Sequence, residues 1–290
     1  MNPIARKSNK KRAFTIVELL TVMSIIIILM GLLAPVMNKV RRFAMKVSQR
    51  NQFHSIDVAL ELFRSEFDGY PDSGPVDPTG APYCGAMKLA EALMGQDLLG
   101  FHPDSRFRAD GMDGGTPPVQ LYAPATEPAR KEYVYLSLEN AKTHRLNEIY
   151  SSVGPFIPDR FVLCDEYSGT TSLTTGKRIG MPILYYKVHI SLTAHDLTDP
   201  DNPQNMYKYQ DNDQLVQLGM PWNPGTAHPM ASIGTTSLGV PADPRIFYQN
   251  TWNEQIQSVT KPYRADSFIL MSAGFDNEYG TPDDVFNFGD

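Results

Sequence analysis

The longest apolar stretch of the chain lies close to its N-terminus. Residues 14–37 contain a single charged side chain, Glu18, and positions 24–36 are almost continuously Ile, Leu, Met or Val. A helix needs about 20 apolar residues to cross a bilayer, and 24 residues are available here. The pattern therefore predicts a membrane-spanning helix over residues 14–37.

The helical pattern continues beyond this stretch. Apolar residues recur at the i, i+3, i+4, i+7 spacing of one helical face in two groups: Val40, Phe43, Ala44 and Val47, then Ile56, Ala59, Leu60, Phe63 and Phe67. Gly69 and Pro71 then supply a stop signal. These features predict one helix from Phe14 to Phe67, roughly 80 Å long at about 1.5 Å per residue. Because Pro35 lacks a backbone donor, we expect it to kink or locally melt this helix.

After Pro71 the sequence changes to short β-like runs between loops rich in Pro, Gly and Asp. The candidate strands are Glu132–Leu138, Arg160–Cys164, Ile183–Leu192 and Ser267–Met271, and Ala86–Leu99 is a candidate short helix. We expect one α+β domain in which the second half of the N-terminal helix lies across an antiparallel sheet. Long irregular segments within residues 73–262 enlarge this domain as an insertion.

Charge is distributed unevenly along the chain. The net charge is −6, but residues 1–13 hold five cations and no acid, which leaves 21 basic and 32 acidic residues in the rest. Such an acidic body argues against nucleic-acid binding, which needs clustered Lys and Arg. Cys84 and Cys164 are too few for a zinc site of the usual spacing. They either pair in an oxidising compartment or remain buried free thiols.

Glu18 decides between the interpretations of the N-terminal stretch. A cleaved secretory signal explains the basic start, but not an acid at the head of the apolar region, and no small-x-small site follows Leu33. A plain signal anchor explains the length, and the preceding cations would keep the leader in the cytoplasm. Neither interpretation accounts for a carboxylate whose burial in hydrocarbon costs several kcal/mol.

A third interpretation comes from the residues around Glu18. The segment KKRAFTIVELLTVMSIIIILMGLLAP, residues 10–35, resembles the N-terminus of type IV pilins and of type II secretion pseudopilins. In that family a basic leader is cut before a Phe, the new amine is methylated, the fifth residue is Glu, and a proline often interrupts the helix further on. The resemblance implies cleavage between Ala13 and Phe14, with Pro35 as that proline. One departure is Ala13, where the family usually has Gly.

The resemblance gives Glu18 a partner. Cleavage creates a cationic amine on Phe14 at the edge of the membrane, and in a filament the Glu18 carboxylate of one subunit would face the Phe14 amine of its neighbour. A buried charge becomes tolerable when it is paired and hydrogen-bonded, so we expect this acid to set the register of assembly. The alternative is that Glu18 merely extends to the headgroup layer.

A second candidate site follows the last predicted strand. Asp276, Asp283 and Asp284 lie within nine residues, and Gly274 and Gly280 permit a tight path. Hard cations such as calcium bind carboxylate and carbonyl oxygens. An acidic loop of this kind is more often simply solvated, and its spacing differs from that of an EF-hand loop.

This tail is similar to the calcium loop that closes major pseudopilins of type II secretion, where a Ser-x-Gly-x-Asp turn precedes a Gly-Thr-x-Asp-Asp pair. The matching residues are Ser272, Gly274, Asp276, Gly280, Thr281, Asp283 and Asp284. The resemblance implies a structural calcium ion held by Asp276, Asp283 and Asp284. Carbonyl groups near Ala273 and Asn287 would complete the shell.

The resemblance covers residues 1–72 and 265–290 and does not extend to the segment between them. It implies a leader at residues 1–13, a transmembrane and assembly helix at residues 14–37 and an extracytoplasmic domain at residues 38–290. No Gly-x-Ser-x-Gly, His-Glu-x-x-His or phosphate-loop motif is found in the sequence. We therefore expect no enzymatic activity.

These features predict a structural filament subunit that is processed by prepilin peptidase. It would assemble with copies of itself, with other pilin-like subunits and with an inner-membrane assembly platform. Before assembly it would cross the bacterial inner membrane once, with its N-terminus in the cytoplasm and its body in the periplasm. The alternative is a membrane-anchored extracytoplasmic binding module or adhesin that uses the insertion to bind a ligand.

Overall fold

The computed structural model describes residues 15–256 and 258–289. The chain divides into two compact units, the first ending at Ala44 and the second beginning at Met45. This division lies further along the chain than residue 37, where the apolar stretch was predicted to end. The leader and Phe14 lie outside the described residues.

Helix α1 spans Ile16–Phe67, 52 residues, and is the longest element of the described chain. It ends where the sequence predicts, because Asp68 adopts a left-handed backbone conformation (φ 56°) just before Gly69. The helix is continuous through Pro35. Of the two outcomes expected at this proline, local melting is absent from the described backbone, and a kink stays a prediction.

The other helices are short. They are α2 (Gly85–Met94), α3 (Glu127–Arg130), α4 (Leu138–Ala141), α5 (Leu146–Ile149), α6 (Gln210–Val216) and α7 (Arg245–Thr251). The strands are β1 (Thr143–Arg145), β2 (Phe161–Leu163), β3 (Thr170–Thr171), β4 (Arg178–Ile179), β5 (Leu184–Lys187), β6 (Phe268–Ser272) and β7 (Val285–Phe286). One long helix is thus combined with short helices and small antiparallel sheets. This confirms the predicted α+β class and is consistent with a pilin-like fold.

The principal sheet has three antiparallel strands in the order β5–β6–β7, and the smaller sheets pair β1 with β2 and β3 with β4. Met271 of β6 pairs with Leu184 of β5 on one side and with Phe286 of β7 on the other. All five residues of β6 are buried. A central strand buried along its whole length must be covered on both faces of its sheet.

One face of the principal sheet is covered by the C-terminal half of α1. Phe268 and Leu270 of β6 share a hydrophobic cluster with Phe53, Ile56 and Leu60 of this helix, and α2 contributes further apolar residues. Ile56 and Leu60 are completely buried. The second apolar face predicted for the helix is therefore confirmed.

The opposite face of the sheet is covered by the insertion. Ile269 and Met271 of β6 and Tyr186 of β5 belong to a second cluster that includes residues of α6 and α7. The ring of Tyr186 lies 4.5 Å from the ring of Phe247 in α7, centroid to centroid. Because side chains alternate across a strand, β6 serves both clusters. The insertion is thus part of the folded body and contributes one side of its core.

The first apolar group on α1 behaves differently from the second. Val40, Phe43 and Val47 are exposed by 55%, 70% and 42%, so these side chains do not contribute to the core. Their spacing predicts a helix correctly. Spacing alone does not specify what covers an apolar face.

The prediction of a strand over Glu132–Leu138 is wrong. The segment begins in a 3-10 turn, Lys131–Tyr133, and helix α4 starts at its end. The backbone amides of Tyr135 and Leu136 both donate to the carbonyl of Leu93 near the end of α2. The last carbonyls of a helix lack intrahelical donors, and this segment supplies them instead of pairing with a strand.

Other predicted elements agree within a few residues. Strand β2 lies inside the predicted Arg160–Cys164, and β6 is displaced by one residue from Ser267–Met271. The predicted strand Ile183–Leu192 is shortened to β5, because the chain turns away at His189. Helix α2 ends before Leu99 because Gly95 adopts a positive φ of 80°.

Helix α2 is buried along its whole length but carries two charged residues, Lys88 and Glu91. A buried charge is tolerated only when it is hydrogen-bonded, and both residues bond to the surrounding loops of the body. The donors to Glu91 are Tyr83 (2.5 Å), Gln96 (2.9 Å), Ser105 (2.5 Å) and Tyr122 (2.6 Å). The acceptors of Lys88 are Asp72 (2.5 Å) and the carbonyls of Gly74 and Val76 (2.9 Å each).

Candidate functional site

The first turn of α1 contains a capping box. The backbone amide and the hydroxyl of Thr15 donate to Glu18 Oε2 over 2.9 and 2.8 Å, and the Glu18 amide donates to the Thr15 hydroxyl over 3.2 Å. This reciprocal arrangement satisfies amides that otherwise lack partners at a helix N-terminus. The Thr-x-x-Glu spacing is a sequence signature from which it could have been predicted.

The capping box uses one oxygen of Glu18. The side chain is exposed, and its Oε1 accepts no hydrogen bond from any described residue. The carboxylate also lies at the N-terminal end of α1, which is the positive end of the helix dipole. Glu18 can therefore keep its contacts to Thr15 and still accept a hydrogen bond from a partner outside the chain.

Helix α1 is the one helix of the described residues that is long and apolar enough to cross a membrane. Between Ile16 and Met37, its large apolar side chains that the structure describes are 44% to 77% exposed. A continuous exposed apolar surface of this kind marks a segment that lies against lipid or against other proteins.

Residues 8–34 match the family model of the prokaryotic N-terminal methylation motif. The chain carries a prepilin-type N-terminus. No curated protein and no solved structure matches the chain. The methylation motif covers part of the basic leader, Glu18 and most of the apolar stretch, and it confirms the resemblance to pilin and pseudopilin precursors at this end of the chain.

The methylation motif implies processing by a prepilin peptidase and assembly with pilin-type subunits. Together with the apolar part of α1, it indicates anchoring in a membrane. The motif is typical of structural proteins, not of catalytic ones.

Three predicted residues of this site lie wholly or partly outside the described structure. Ala13 and Phe14 fall within the methylation motif but are not described. Pro35 follows the matched segment directly, and only its backbone is described. Cleavage between Ala13 and Phe14 and a role of Pro35 in assembly stay predictions.

The second candidate site is the loop between β6 and β7, residues 273–284, which we call the C-terminal loop. Asp283 Oδ2 accepts hydrogen bonds from the amides of Phe275 (2.7 Å) and Asp276 (3.1 Å), and Asp283 Oδ1 accepts one from the Thr281 hydroxyl (2.7 Å). Gly274 has a φ of 67°, and a Cβ there would lie 2.2 Å from the Asp283 carbonyl oxygen. Only glycine therefore allows the two sides of the loop to approach so closely.

In the C-terminal loop, the charged forms of Asp276 and Asp284 are less well stabilised than that of Asp283. Partial desolvation raises the pKa of Asp276 to about 6, and the neighbouring Asp283 contributes to this rise. Desolvation also raises the pKa of Asp284 well above its ordinary value. Asp284 Oδ2 accepts hydrogen bonds from Gly280 and Thr281, but its Oδ1 is buried without a partner among the described residues. A cation in the loop would favour the charged forms of both carboxyls.

The residues of the C-terminal loop partly fit the calcium ion that the resemblance implies. Carboxylates are ligands that calcium prefers, Asp284 Oδ1 is an orphaned acceptor, and Ala273 is buried directly after β6. The side chain of Asn287 has other partners, since it donates to Asp57 and accepts from the Leu270 amide, each over 3.0 Å. Among the described residues, no group of three or more His, Cys, Asp or Glu is arranged to hold a metal. An ion here would therefore depend on backbone carbonyls as well.

The two cysteines are buried and free. Burial raises the pKa of the Cys84 thiol to about 11 and that of the Cys164 thiol well above its ordinary value. Thiols with such values are poor nucleophiles at neutral pH. Of the two alternatives left open by the sequence, the structure supports buried free thiols.

A buried carboxyl group, Asp165, has no counterpart in the sequence predictions. It accepts hydrogen bonds from the Ser272 hydroxyl (2.7 Å) and from the amides of Tyr167 (3.2 Å) and Met181 (3.1 Å). Burial raises its pKa to about 8. Asp165 joins the end of β6 to the segment after β2, and no local sequence pattern indicates such a long-range connection.

Proposed function

We propose that the chain is a structural subunit of a type II secretion pseudopilus or of a type IV pilus-like filament. The observation that carries this proposal is the methylation motif at residues 8–34, which leads into an exposed apolar helix. Prepilin peptidase would cut between Ala13 and Phe14. The mature subunit would remain anchored in the inner membrane, with its body in the periplasm, until an assembly platform adds it to the filament.

Assembly would use both ends of one ion pair. The new amine of Phe14 in one subunit would donate to Glu18 of its neighbour, at the oxygen that the capping box does not use. An unpaired carboxylate in an apolar surrounding is unfavourable, so the staggered arrangement that pairs it is preferred over others. The insertion would then form the outer surface of the filament.

The first experiment is mass spectrometry of the N-terminus of the protein purified from its host. We expect a mature chain that begins with N-methylated Phe14, and the same start for an Ala13→Gly variant. An Ala13→Asp variant should retain its leader. A functional membrane protein that still begins at Met1 would contradict processing and favour the anchored binding module.

The second experiment separates charge pairing from helix capping. Glu18→Gln keeps an acceptor for the capping box but loses the charge, so we expect normal membrane insertion and no filaments by electron microscopy. Thr15→Val is the matched control, because it removes the capping hydroxyl and keeps the charge; it should still form filaments. Normal filaments from Glu18→Gln would reject the ion pair.

We further propose that calcium stabilises the C-terminal loop and does no chemistry there. Asp276, Asp283 and Asp284 would be drawn together around the ion, because they do not form a ready-made metal-binding group in the described structure. Carbonyl groups near Ala273 and Asn287 would be additional ligands. The support for this proposal is the similarity of the tail to pseudopilin calcium loops, together with the orphaned Asp284 Oδ1. Without an ion, the charged forms of these carboxyls repel one another, and we expect this repulsion to weaken the attachment of β7.

A further inference from the structure

A cluster of cations lies immediately beyond the apolar part of α1. Lys39, Arg41 and Arg42 occur within four residues, and Lys46 and Arg50 follow in the sequence. No acidic residue is found between positions 18 and 57, whereas residues 51–290 contain 16 basic and 31 acidic residues. The cations of the mature chain are therefore concentrated next to the segment that enters the membrane.

The positions of the first three cations match the depth of lipid headgroups. At about 1.5 Å per residue, Lys39, Arg41 and Arg42 lie about 3 to 8 Å beyond Met37 along the helix. The headgroup layer occupies roughly 5 to 8 Å on each side of the hydrocarbon core. All three side chains are exposed, and Phe43, which follows them, is 70% exposed.

The cluster also runs against the usual distribution of charge in membrane proteins. Five cations precede the apolar stretch in residues 1–13 and five follow it in residues 39–50. Lys and Arg normally accumulate on the cytoplasmic side of a membrane span. Removal of the leader would take away the five cations on that side and leave only the five on the opposite side. An anionic surface on that side would compensate for this placement.

We propose that Lys39, Arg41 and Arg42 bind the phosphate groups of anionic phospholipids in the leaflet that faces the body. This inference rests on the membrane anchoring included in the proposed function. Arginine presents parallel N–H donors that match phosphate oxygens, and lysine adds a compact positive charge. The contact would hold the subunit at a defined depth in the membrane before assembly.

A second copy of the acidic body is a less suitable partner for these cations. Its acidic residues are spread over the whole of residues 57–290. Many of them already accept hydrogen bonds within their own loops, as Asp113 does from Gly115 and Val119. The headgroup layer instead presents a continuous sheet of phosphates at the depth where the three cations lie.

The experiment measures lipid selectivity around the full-length chain in mixed phosphatidylcholine and phosphatidylglycerol vesicles. Electron spin resonance reports how strongly spin-labelled phosphatidylglycerol associates with the protein relative to spin-labelled phosphatidylcholine. We compare the wild type with a variant carrying Lys39→Gln, Arg41→Gln and Arg42→Gln. The matched control carries Arg106→Gln, Lys177→Gln and Arg178→Gln, which remove three exposed cations of the body.

We expect the wild type and the control to prefer phosphatidylglycerol by at least about fivefold at low salt, roughly the contribution of one cation near an anionic surface. The preference should disappear in the Lys39/Arg41/Arg42 variant and weaken at high salt. Equal selectivity in all three proteins would overturn the inference. The inference would also be overturned if the Lys39/Arg41/Arg42 variant kept its lipid preference but lost self-association in detergent. That result would show that the cations bind a second copy of the chain.

Extraction with alkaline carbonate distinguishes failure of this inference from failure of the membrane assignment. A chain that resists extraction but shows no preference for phosphatidylglycerol overturns the lipid contact alone. Release of the chain by carbonate would contradict the membrane anchoring in the proposed function, and it would contradict the lipid contact as well.

Discussion

The two units of the chain differ in the exposure of their apolar side chains. Between Ile16 and Met37 the described large apolar side chains are 44% to 77% exposed, whereas all residues of the central strand β6 are buried. The second unit has its own core on both faces of a sheet, but the part of the first unit that the structure describes has no buried core of its own. The body should therefore fold independently, and the N-terminal segment should acquire its surroundings from lipid or from other subunits.

The largest effect is expected when the two units are separated. A chain lacking residues 1–44 should be soluble without detergent and should unfold cooperatively, because both hydrophobic clusters of the body remain complete. Size-exclusion chromatography and thermal unfolding by circular dichroism test this. A second truncation that ends at residue 262 lacks β6 and β7, and it should not fold. An aggregated or non-cooperative body would show that the second unit depends on the first.

A matched pair of leucines tests the same contrast by substitution. Leu270→Ala removes a fully buried side chain and should lower the free energy of unfolding of the body by about 2–5 kcal/mol. Leu29 is 60% exposed, so Leu29→Ala should leave that free energy unchanged. Denaturant titration of the full-length variants in detergent gives both values. Equal effects of the two substitutions would contradict the independence of the units.

The third prediction concerns whether the stability of the body depends on a bound calcium ion. If the C-terminal loop binds calcium, a concentration about 100 times the dissociation constant should stabilise the body by about 2.7 kcal/mol. Asp276→Asn keeps an acceptor for the Glu278 amide but loses a charge, so it should lose this response. Asp104→Asn, an exposed control outside the loop, should keep it. Thermal melts with calcium and with chelator that superimpose for the wild type would reject the site.

The last expected effect is a pH dependence caused by Asp165. Its pKa is about 8 in the folded body and about 3.9 in an unfolded chain, so the folded state binds more protons between these values. The free energy of unfolding should therefore fall as the pH rises from about 4 to about 8. In Asp165→Asn this decline should be reduced.

The pH experiment needs a control for the many other carboxyls of the body. Asp159→Asn alters an exposed side chain and should leave the decline unchanged. Melting temperatures of both variants and the wild type, recorded at pH 5 and pH 8, provide the comparison. A decline in Asp165→Asn as steep as in the wild type would assign the dependence to another group, such as Asp211, whose pKa burial raises to about 7.

The helical and apolar parts of the molecule could be predicted because their signals are local. Periodicity predicts α1 up to Phe67 and the buried face at Ile56 and Leu60, and an apolar run predicts β6. The same periodicity at Val40 and Phe43 does not reveal that these side chains are exposed. Exposure depends on what lies opposite a face, and a single helix carries no information about that.

The connections between distant segments could not be predicted. The segment Glu132–Leu138 has the composition of a strand, but its amides bond to Leu93 near the end of a helix. Glu91 and Asp165 are of residue types that a sequence pattern places at the surface, yet both are buried and accept hydrogen bonds from distant segments of the chain. The Thr15–Glu18 capping box is the exception, since its signature is local and could have been recognised.

The position of β6 in the chain has a consequence for biosynthesis. Phe268–Ser272 lies near the end of the 290 residues, yet this strand completes both hydrophobic clusters. Neither side of the interior can close until residues 268–272 have left the ribosome. Chains that terminate before β6 therefore expose the apolar residues of both hydrophobic clusters. We expect such chains to be degraded by proteases before they can be incorporated in place of intact molecules.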